Sequence, residues 1–413
     1  MLSRLCNLKN SLYICELKLA KMETFYRTHS YLVEHTNAPV RRNLMDEIDW
    51  NDRLIGIKGT RGVGKTTFLL QYAKENFGTH RSCLYINMNN FYFAKYTLVD
   101  FAKQFVAQGG KVLLIDQAFK YPEWSRDLRI CYESFPELRI VFTGSSVMRL
   151  KEENPELYNI AKVYYLRGFS FREYLNLQTG LRFPDYSLDE ILKNHEGIAK
   201  EIISKVNPLN YFHDYLHHGF YPFFLEKQNF SENLLKTMNM MIEVDILLIK
   251  QIELKYLSKI KKLLYLLAAD GPAAPNVSQL ANEIQISRAT VMNYIKYLED
   301  ARLINMVYPK GESFPKKPSK IMLHNTNLMY SVYPVKINEQ DVLDTFFMNT
   351  MYKDHKLYKG DKGTSFLVDD GLHFRICEDR CKLKNNSNVI YVRHPMDVGN
   401  NNVIPLWLFG FLY

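Results

Sequence analysis

Eight consecutive residues, Gly59-Thr60-Arg61-Gly62-Val63-Gly64-Lys65-Thr66, fit the pattern G-x-x-x-x-G-K-[ST] and restrict what the chain around them can be. A polyphosphate is a dense anion, and a helix N-terminus offers it unpaired N–H groups and the positive end of a dipole. Gly59, Gly62 and Gly64 let the main chain wrap such an anion where side chains would hinder it. The pattern assigns Lys65 to the β- and γ-phosphates and the Thr66 hydroxyl to Mg²⁺. The full set of phosphate-loop residues is then Gly59, Thr60, Arg61, Gly62, Val63, Gly64, Lys65, Thr66 and Thr67. Leu54-Ile55-Gly56-Ile57-Lys58 reads as the strand before this loop. Thr66 to Lys74 reads as the helix after it, with Gly78 as its stop.

The same alternation continues downstream. Cys83 to Asn87 reads as a strand, the stretch around Leu98 to Gln108 as a helix, and Gly109-Gly110 as a turn. Lys111 to Asp116 is a near-continuous apolar run ending in an acid, as expected of a buried parallel strand with a metal-facing tip. Lying about 50 residues after the loop, Asp116 is the expected carboxylate partner of Mg²⁺, with Thr66. A helix over Arg126–Ser134 and a strand over Leu138–Thr143 follow. Strands alternating with helices give an α/β fold, a parallel sheet covered on both faces. The tips at Asp116 and Ser145 would share one edge with the loop.

Composition narrows the setting. The 413 residues suffice for two or three domains, and 47% hydrophobic content excludes a disordered chain. No apolar run approaches the length of a membrane span, so no membrane partner is expected. Arg4, Lys9, Glu16, Lys18 and Lys21 interrupt the first 21 residues and argue against a signal peptide. Met22 reads as a better start than Met1, which makes 1–21 an expected non-native or unstructured extension. The six cysteines are scattered. Only Cys377 and Cys381 are close, with no second pair for a zinc site, so reduced thiols and a cytoplasmic setting are expected. The net charge is +9, and 251–320 holds 11 Lys/Arg against 6 Asp/Glu. That bias suits nucleic acid, and it equally suits a solvated face.

The basic window has its own pattern. A helix over Ile260–Ala269, a short helix carrying Leu280 and Ile284, and a helix over Arg288–Asp300 capped by Ser287 precede a hairpin expected to end near Lys310. This order reads as a winged helix. Its outward residues Arg288, Thr290, Asn293 and Lys296 would suit phosphates and base edges of DNA. The alternative is that this module docks on the rest of the chain or on another protein.

Several segments in order carry a family resemblance. They are the loop with Thr67, Leu113-Leu114-Ile115-Asp116, Lys120-Tyr121-Pro122-Glu123-Trp124, Thr143-Gly144-Ser145-Ser146 and Phe169-Ser170-Phe171-Arg172-Glu173-Tyr174-Leu175. From about residue 24 onward the chain resembles the AAA-type P-loop ATPases of bacteria and archaea that join an ATP-binding domain to a winged helix and a C-terminal domain of uncharacterised or nuclease-like type. The resemblance implies a P-loop ATP-binding domain over 22–168, a helical lid over 169–257, a winged helix over 258–320 and a small α+β C-terminal domain over 321–413. It implies ATP and Mg²⁺ as cofactors, Lys65, Gln117 and Ser145 at the catalytic positions, and a possible homo-oligomer.

The departures from the family pattern carry information. Gln117 stands where the family places a glutamate that polarises the attacking water, and an amide cannot serve as that base. Asn159-Ile160 stand where relatives carry paired arginines, leaving Arg149, Arg167 or a partner subunit to supply the charge. Slow or absent hydrolysis with retained nucleotide binding is therefore expected, against the alternatives of an active ATPase remodeller or a DNA-binding regulator. In the lid, Tyr211, Phe212, Phe223 and Phe224 are expected to be core rather than base-stacking platforms. In the C-terminal domain Asp369 survives from the nuclease-like metal set. Arg375 replaces its second carboxylate, and Glu378-Asp379-Arg380 replace glycines and a lysine. A structural or interaction role is expected there rather than cleavage.

Overall fold

Strands that are apolar on both sides require cover on both sides, and the helices between them supply it. A computed structural model of the chain describes residues 22–226, 229–335, 337–361, 363–378 and 388–413. The extension expected at 1–21 and the residues Asp379, Arg380 and Cys381 lie outside that set. The chain forms two compact units. One comprises Gly64–Leu166 and the described residues up to Gly59; the other comprises Thr60–Val63 and Arg167–Tyr413.

In the first unit, helix α1 covers residues 22–35. It is followed by β1 (Leu54–Gly59), α2 (Lys65–Asn76), β2 (Cys83–Asn87), α3 (Leu98–Ala107), β3 (Val112–Asp116), α4 (Trp124–Ser134), β4 (Arg139–Ser145) and β5 (Lys162–Tyr165). The sheet order is β2-β3-β4-β1-β5, and every pairing is parallel. All strand C-termini therefore open on one edge, the edge at which the loop after β1 begins. The core of β3 is the completely buried trio Leu113, Leu114 and Ile115. Gly56 has a packing reason: a Cβ there would lie 2.7 Å from the buried Phe142 ring of β4. Helix α2 stops as expected, with Gly78 at φ +56°.

In the second unit, the helices are α5 (Phe171–Thr179), α6 (Leu188–Lys205), α7 (Leu209–Asp214) and α8 (Phe230–Met240), with π-helical turns at Tyr215–Gly219 and Met241–Ile246. Next come α9 (Leu257–Asp270), α10 (Val277–Ile284) and α11 (Arg288–Asp300). Strands β6 (Ile304–Val307) and β7 (Lys320–Leu323) form an antiparallel hairpin, and Ala273 bridges to Ile321 beside it. The hairpin is longer than expected. Residue 320, placed at a domain end from the sequence, opens its second strand.

The chain ends in α12 (Thr326–Val332), α13 (Glu339–Met351) and the strands β8 (Leu357–Lys359), β9 (Phe366–Val368), β10 (Leu372–Glu378), β11 (Val389–His394) and β12 (Val403–Pro405). Their order is β12-β11-β10-β9-β8. The pairs β8-β9 and β9-β10 are antiparallel, and β10-β11 and β11-β12 are parallel. The β9–β10 ribbon, which turns at Asp370-Gly371, is thus part of a five-stranded mixed sheet.

The helices expected to form a lid and the C-terminal segment contribute to one apolar cluster. Phe171 of α5 and Phe212 of α7 share one apolar cluster with Phe346 and Phe347 of α13, and with Trp407 and Phe411. The Ser170-Phe171-Arg172-Glu173 motif explains the junction. Ser170 and Glu173 form a buried capping box, and Arg172 Nε donates to the Tyr413 carbonyl at 3.1 Å. Of the four lid aromatics expected in the core, Phe212 is fully buried and Tyr211 and Phe224 pack partly buried against the same cluster. Phe223 stacks on Tyr221. Trp407 is completely buried in this cluster. Trp407→Ala should therefore lower unfolding free energy by about 3–5 kcal/mol, measured by urea denaturation with circular dichroism.

Candidate functional site

The loop between β1 and α2 has the backbone its glycines allow. Gly62 has φ +85° and Gly64 has φ +93°, values that side-chain-bearing residues rarely adopt. Gly64 caps α2, so the first amides of that helix point to the loop with no side-chain cap across them. Lys65 Nζ donates to the Gly59 carbonyl at 2.9 Å, which folds the side chain back over the loop. Val63 is completely buried and Thr60 nearly so; Thr67 is exposed on the first turn of α2. The crest of the loop, Thr60–Val63, is counted with the second unit. There Arg61 Nη2 donates to the buried Asp245 carboxylate at 2.7 Å.

Asp116 is the centre of the first unit's polar network. Thr66 Oγ1 donates to its Oδ2 at 2.7 Å, joining the first turn of α2 to the tip of β3. Tyr85 Oη donates to the same oxygen at 2.9 Å, and Asn87 Nδ2 lies 3.4 Å from it. Thr143 Oγ1 donates to Oδ1 at 2.6 Å, and the Gln117 N–H does so at 3.1 Å. A carboxylate only 1% exposed is costly unless its lone pairs are met, and here every contact is a donor. Burial, and then the adjacent Asp116 charge, push the Tyr85 hydroxyl well above its ordinary pKa, so it remains a donor.

Tyr85, Asn87 and Thr143 were given no role at the site from the sequence. The available signal was polar residues at or near the C-terminal ends of otherwise apolar strands. Asn87 stands directly across from Asp116 in the β2–β3 register, and Thr143 lies near the end of β4.

The remaining expected residues are placed as follows. Gln117 follows Asp116 in a left-handed conformation, φ +55°, with its N–H also donating to Thr143 Oγ1 at 2.9 Å. Ser145 ends β4 opposite Gly59, and its hydroxyl accepts from the Val147 N–H at 3.4 Å. Arg149 precedes a short helix, its N–H directed to the Glu153 carboxylate. Arg167 is buried in the second unit, with Nη2 donating to the Asn349 carbonyl at 2.5 Å, which makes it an anchor of that unit.

On α11, Arg288 and Asn293 are exposed and Thr290 is half-buried. Lys296, expected on the outward face, is half-buried like Thr290. It pairs with Glu299 at 2.6 Å and Asp300 at 3.2 Å, because the helix brings those acids one turn away. Asp369 directly follows β9. It accepts from the Lys356 N–H at 2.9 Å and pairs with His355 at 2.7 Å, so it is committed to a turn and does not face Arg375 as a metal ligand would. Burial raises the Asp369 pKa, but the Lys356 N–H and His355 outweigh it and hold the carboxyl below its usual value.

Residues 51–175 match the family described as AAA domain, and residues 209–339 match a domain of unknown function (DUF8612). Over 298 residues the chain is 30% identical to Uncharacterized protein MJ1637 of Methanocaldococcus jannaschii, covering 68% of this chain and 62% of that protein's length. Solved structures similar to it include a STAND protein with a tetratricopeptide repeat sensor, PH0952 of Pyrococcus horikoshii, at 14% identity and TM-score 0.26. That match covers 76% of this chain and 45% of the other. AMPPCP-bound DnaA of Aquifex aeolicus matches at 14% identity and TM-score 0.26 over 62% and 84% of the two chains. A RuvB variant of Thermotoga maritima matches at 15% identity and TM-score 0.29 over 76% and 95%.

The first unit has the fold of AAA-type P-loop NTPases. Among the described residues no helix is long and apolar enough to cross a membrane. The site also yields a stability test. Thr143→Val keeps the shape but removes a donor from Asp116 and an acceptor from the Gln117 N–H. It should cost about 1–3 kcal/mol, read as a lowered urea midpoint against the wild type.

Proposed function

We propose that this protein binds ATP with Mg²⁺ and acts as a nucleotide-dependent switch whose hydrolysis is slow or absent. The observation that carries the reading is the Thr66–Asp116 bond, which brings the hydroxyl after the loop lysine and the acid at the tip of β3 within 2.7 Å of each other. These are the two side chains that would hold Mg²⁺, and the ion when bound would neutralise phosphate charge. Among the described residues there is no cluster of three His, Cys, Asp or Glu that could hold a metal. That suits Mg²⁺, which takes one or two protein ligands and completes its shell with water and phosphate oxygens. The amides opening α2 and Lys65 would hold the phosphates, with Lys65 exchanging the Gly59 carbonyl for phosphate oxygens.

Gln117 decides the catalytic side of the proposal. Its amide can orient water through hydrogen bonds, but it cannot accept a proton as a carboxylate does. Lys65→Ala should weaken nucleotide binding roughly tenfold or more in isothermal titration; equal, negligible binding by wild type and variant would overturn the reading. Gln117→Glu should raise ATP turnover by about 10²–10⁴-fold. A fast wild type unaffected by that change would instead support an active ATPase remodeller.

The second reading concerns α9–α11 with the β6–β7 hairpin, which we take as a winged helix. The bridge from Ala273 to Ile321 supports it by tying the segment after α9 to the hairpin. Exposed Arg288 and Asn293 on α11 favour contact with duplex DNA, while the pairing of Lys296 removes one expected phosphate contact. Arg288→Ala should lower the salt dependence of DNA affinity by about one ion in fluorescence anisotropy. Salt-independent binding, or none, would leave the module a connector.

A further inference from the structure

The crest of the phosphate loop is held by residues that lie far along the chain. Arg61 Nη2 donates to Asp245 Oδ1 at 2.7 Å across 184 positions, and the Asp245 side chain is only 5% exposed. Gly62 is closely packed as well: a Cβ there would lie 3.2 Å from Phe223 and from Thr237 of α8, and 3.4 Å from Tyr221. The Arg61 guanidinium is not exhausted by its ion pair. Its Nε–H is buried and has no hydrogen-bond partner among the described residues, and a buried donor left unmet is costly. Arg61 is therefore a charged donor within the phosphate loop that has capacity for a second acceptor, and an anion in that loop competes with Asp245 for its charge.

Asp245 belongs to the π-helical turn Met241–Ile246. Such turns break the α-helical register over a few residues and recur at functional sites. Two positions earlier on the same turn, Glu243 accepts from Lys261 Nζ of α9 at 2.7 Å. The turn also packs against α9 and α11, while Met241, Ile242 and Ile246 are buried. One short turn thus holds the crest of the loop through one acid and α9 through another. All of these residues, Arg61 included, lie in the second unit. A return from π to α register is a discrete rearrangement, which is what coupling between two places requires.

We propose that Asp245 is a positioning residue for the phosphate loop, acting through Arg61, and that its π-helical turn relays the loop's occupancy to α9 through Glu243 and Lys261. This role rests on the nucleotide binding proposed above. With the loop empty, Arg61 neutralises the buried Asp245. With an anionic ligand in the loop, Arg61 shares its charge, Asp245 is left less compensated, and the turn that carries it loosens. Linkage makes the effect reciprocal: a partner that fixes α9 changes nucleotide affinity by the same factor.

The test is amide hydrogen exchange of the full chain, without nucleotide and with a saturating non-hydrolysable ATP analogue and Mg²⁺. Peptides covering 241–246 and 257–270 report the relay, and 372–378 of β10 is the control. In the wild type the analogue should speed exchange in both reporting peptides by about fivefold or more, with the control unchanged. Asp245→Asn should abolish that change in both peptides, and Asp245→Glu should retain it. Glu243→Gln, a substitution at a half-exposed position, should abolish it in 257–270 alone. Calorimetric titration of each variant establishes that the loop is occupied, and circular dichroism that the variant is folded. Nucleotide binding by the wild type without a change in the two peptides would overturn the relay and leave the binding reading standing. A change that persists in Asp245→Asn, or one in 257–270 that Glu243→Gln does not affect, would overturn it too. Absence of any binding heat in the wild type would overturn the nucleotide reading and this role with it.

Discussion

A buried carboxylate at the end of a parallel strand holds the first unit's edge together. Asp116 cannot be left unmet in an interior where an uncompensated charge costs several kcal/mol. Its donors therefore come from three strands and one helix: Tyr85 and Asn87 on β2, the Gln117 amide after β3, Thr143 on β4, and Thr66 on α2. That convergence fixes the spacing between the tip of β3 and the start of α2. The glycine loop lies between β1 and the same helix, so its geometry follows from the same constraint. Three hydroxyl donors supply most of this network, and a hydroxyl can turn from donor to acceptor when a cation arrives. The set of contacts that stabilises the carboxylate without a ligand is thus compatible with rearrangement around one.

The residue after Asp116 bears on the proposed separation of binding from hydrolysis. Gln117 sits at φ +55°, in a backbone conformation that a side-chain-bearing residue enters at some cost, and its N–H is fixed by both Asp116 and Thr143. The turn is therefore determined by main-chain bonds that any residue here would make. Exchanging a carboxylate for an amide at this position leaves the turn intact while removing the group that could take a proton. On the function proposed above, a site built this way would keep the parts that bind and give up the part that turns over.

The sequence made the loop, four of the five strands around it and the helix caps legible, because glycine spacing, apolar runs and Ser or Thr before a helix are local signals; β5, with Lys162 at its start and no long apolar run, was not read. The partners of Asp116 were not legible, since a tyrosine, an asparagine and a threonine in otherwise apolar strands become a set only once the β2–β3–β4 register is known. Lys296 read as an outward cation, yet Glu299 and Asp300 one turn on hold it. Asp369 read as a remnant of a metal site because it follows an apolar strand, whereas its turn conformation directs it to His355 and Lys356. The join between the helices after 169 and the C-terminal sheet was also invisible to local pattern. It rests on aromatic residues: Phe171 shares one cluster with Phe346 and Trp407, each more than 150 positions further along the chain.

That shared core bears on how a signal could move within the second unit. Trp407, Phe409 and Phe411 are completely buried in the same cluster as Phe171 and Phe212, so α5 and α7 cannot shift far without repacking the segment that closes the C-terminal sheet. Close-packed interiors resist gradual deformation and instead change between discrete arrangements. Arg172 reinforces the coupling, because it joins α5 to the Tyr413 carbonyl and to the Phe183 carbonyl. A hinge between the helices of α5–α7 and the C-terminal sheet is therefore excluded by packing. Any motion of the π-helical turn that carries Asp245, the partner of Arg61, has to be taken up locally or by the unit as a whole.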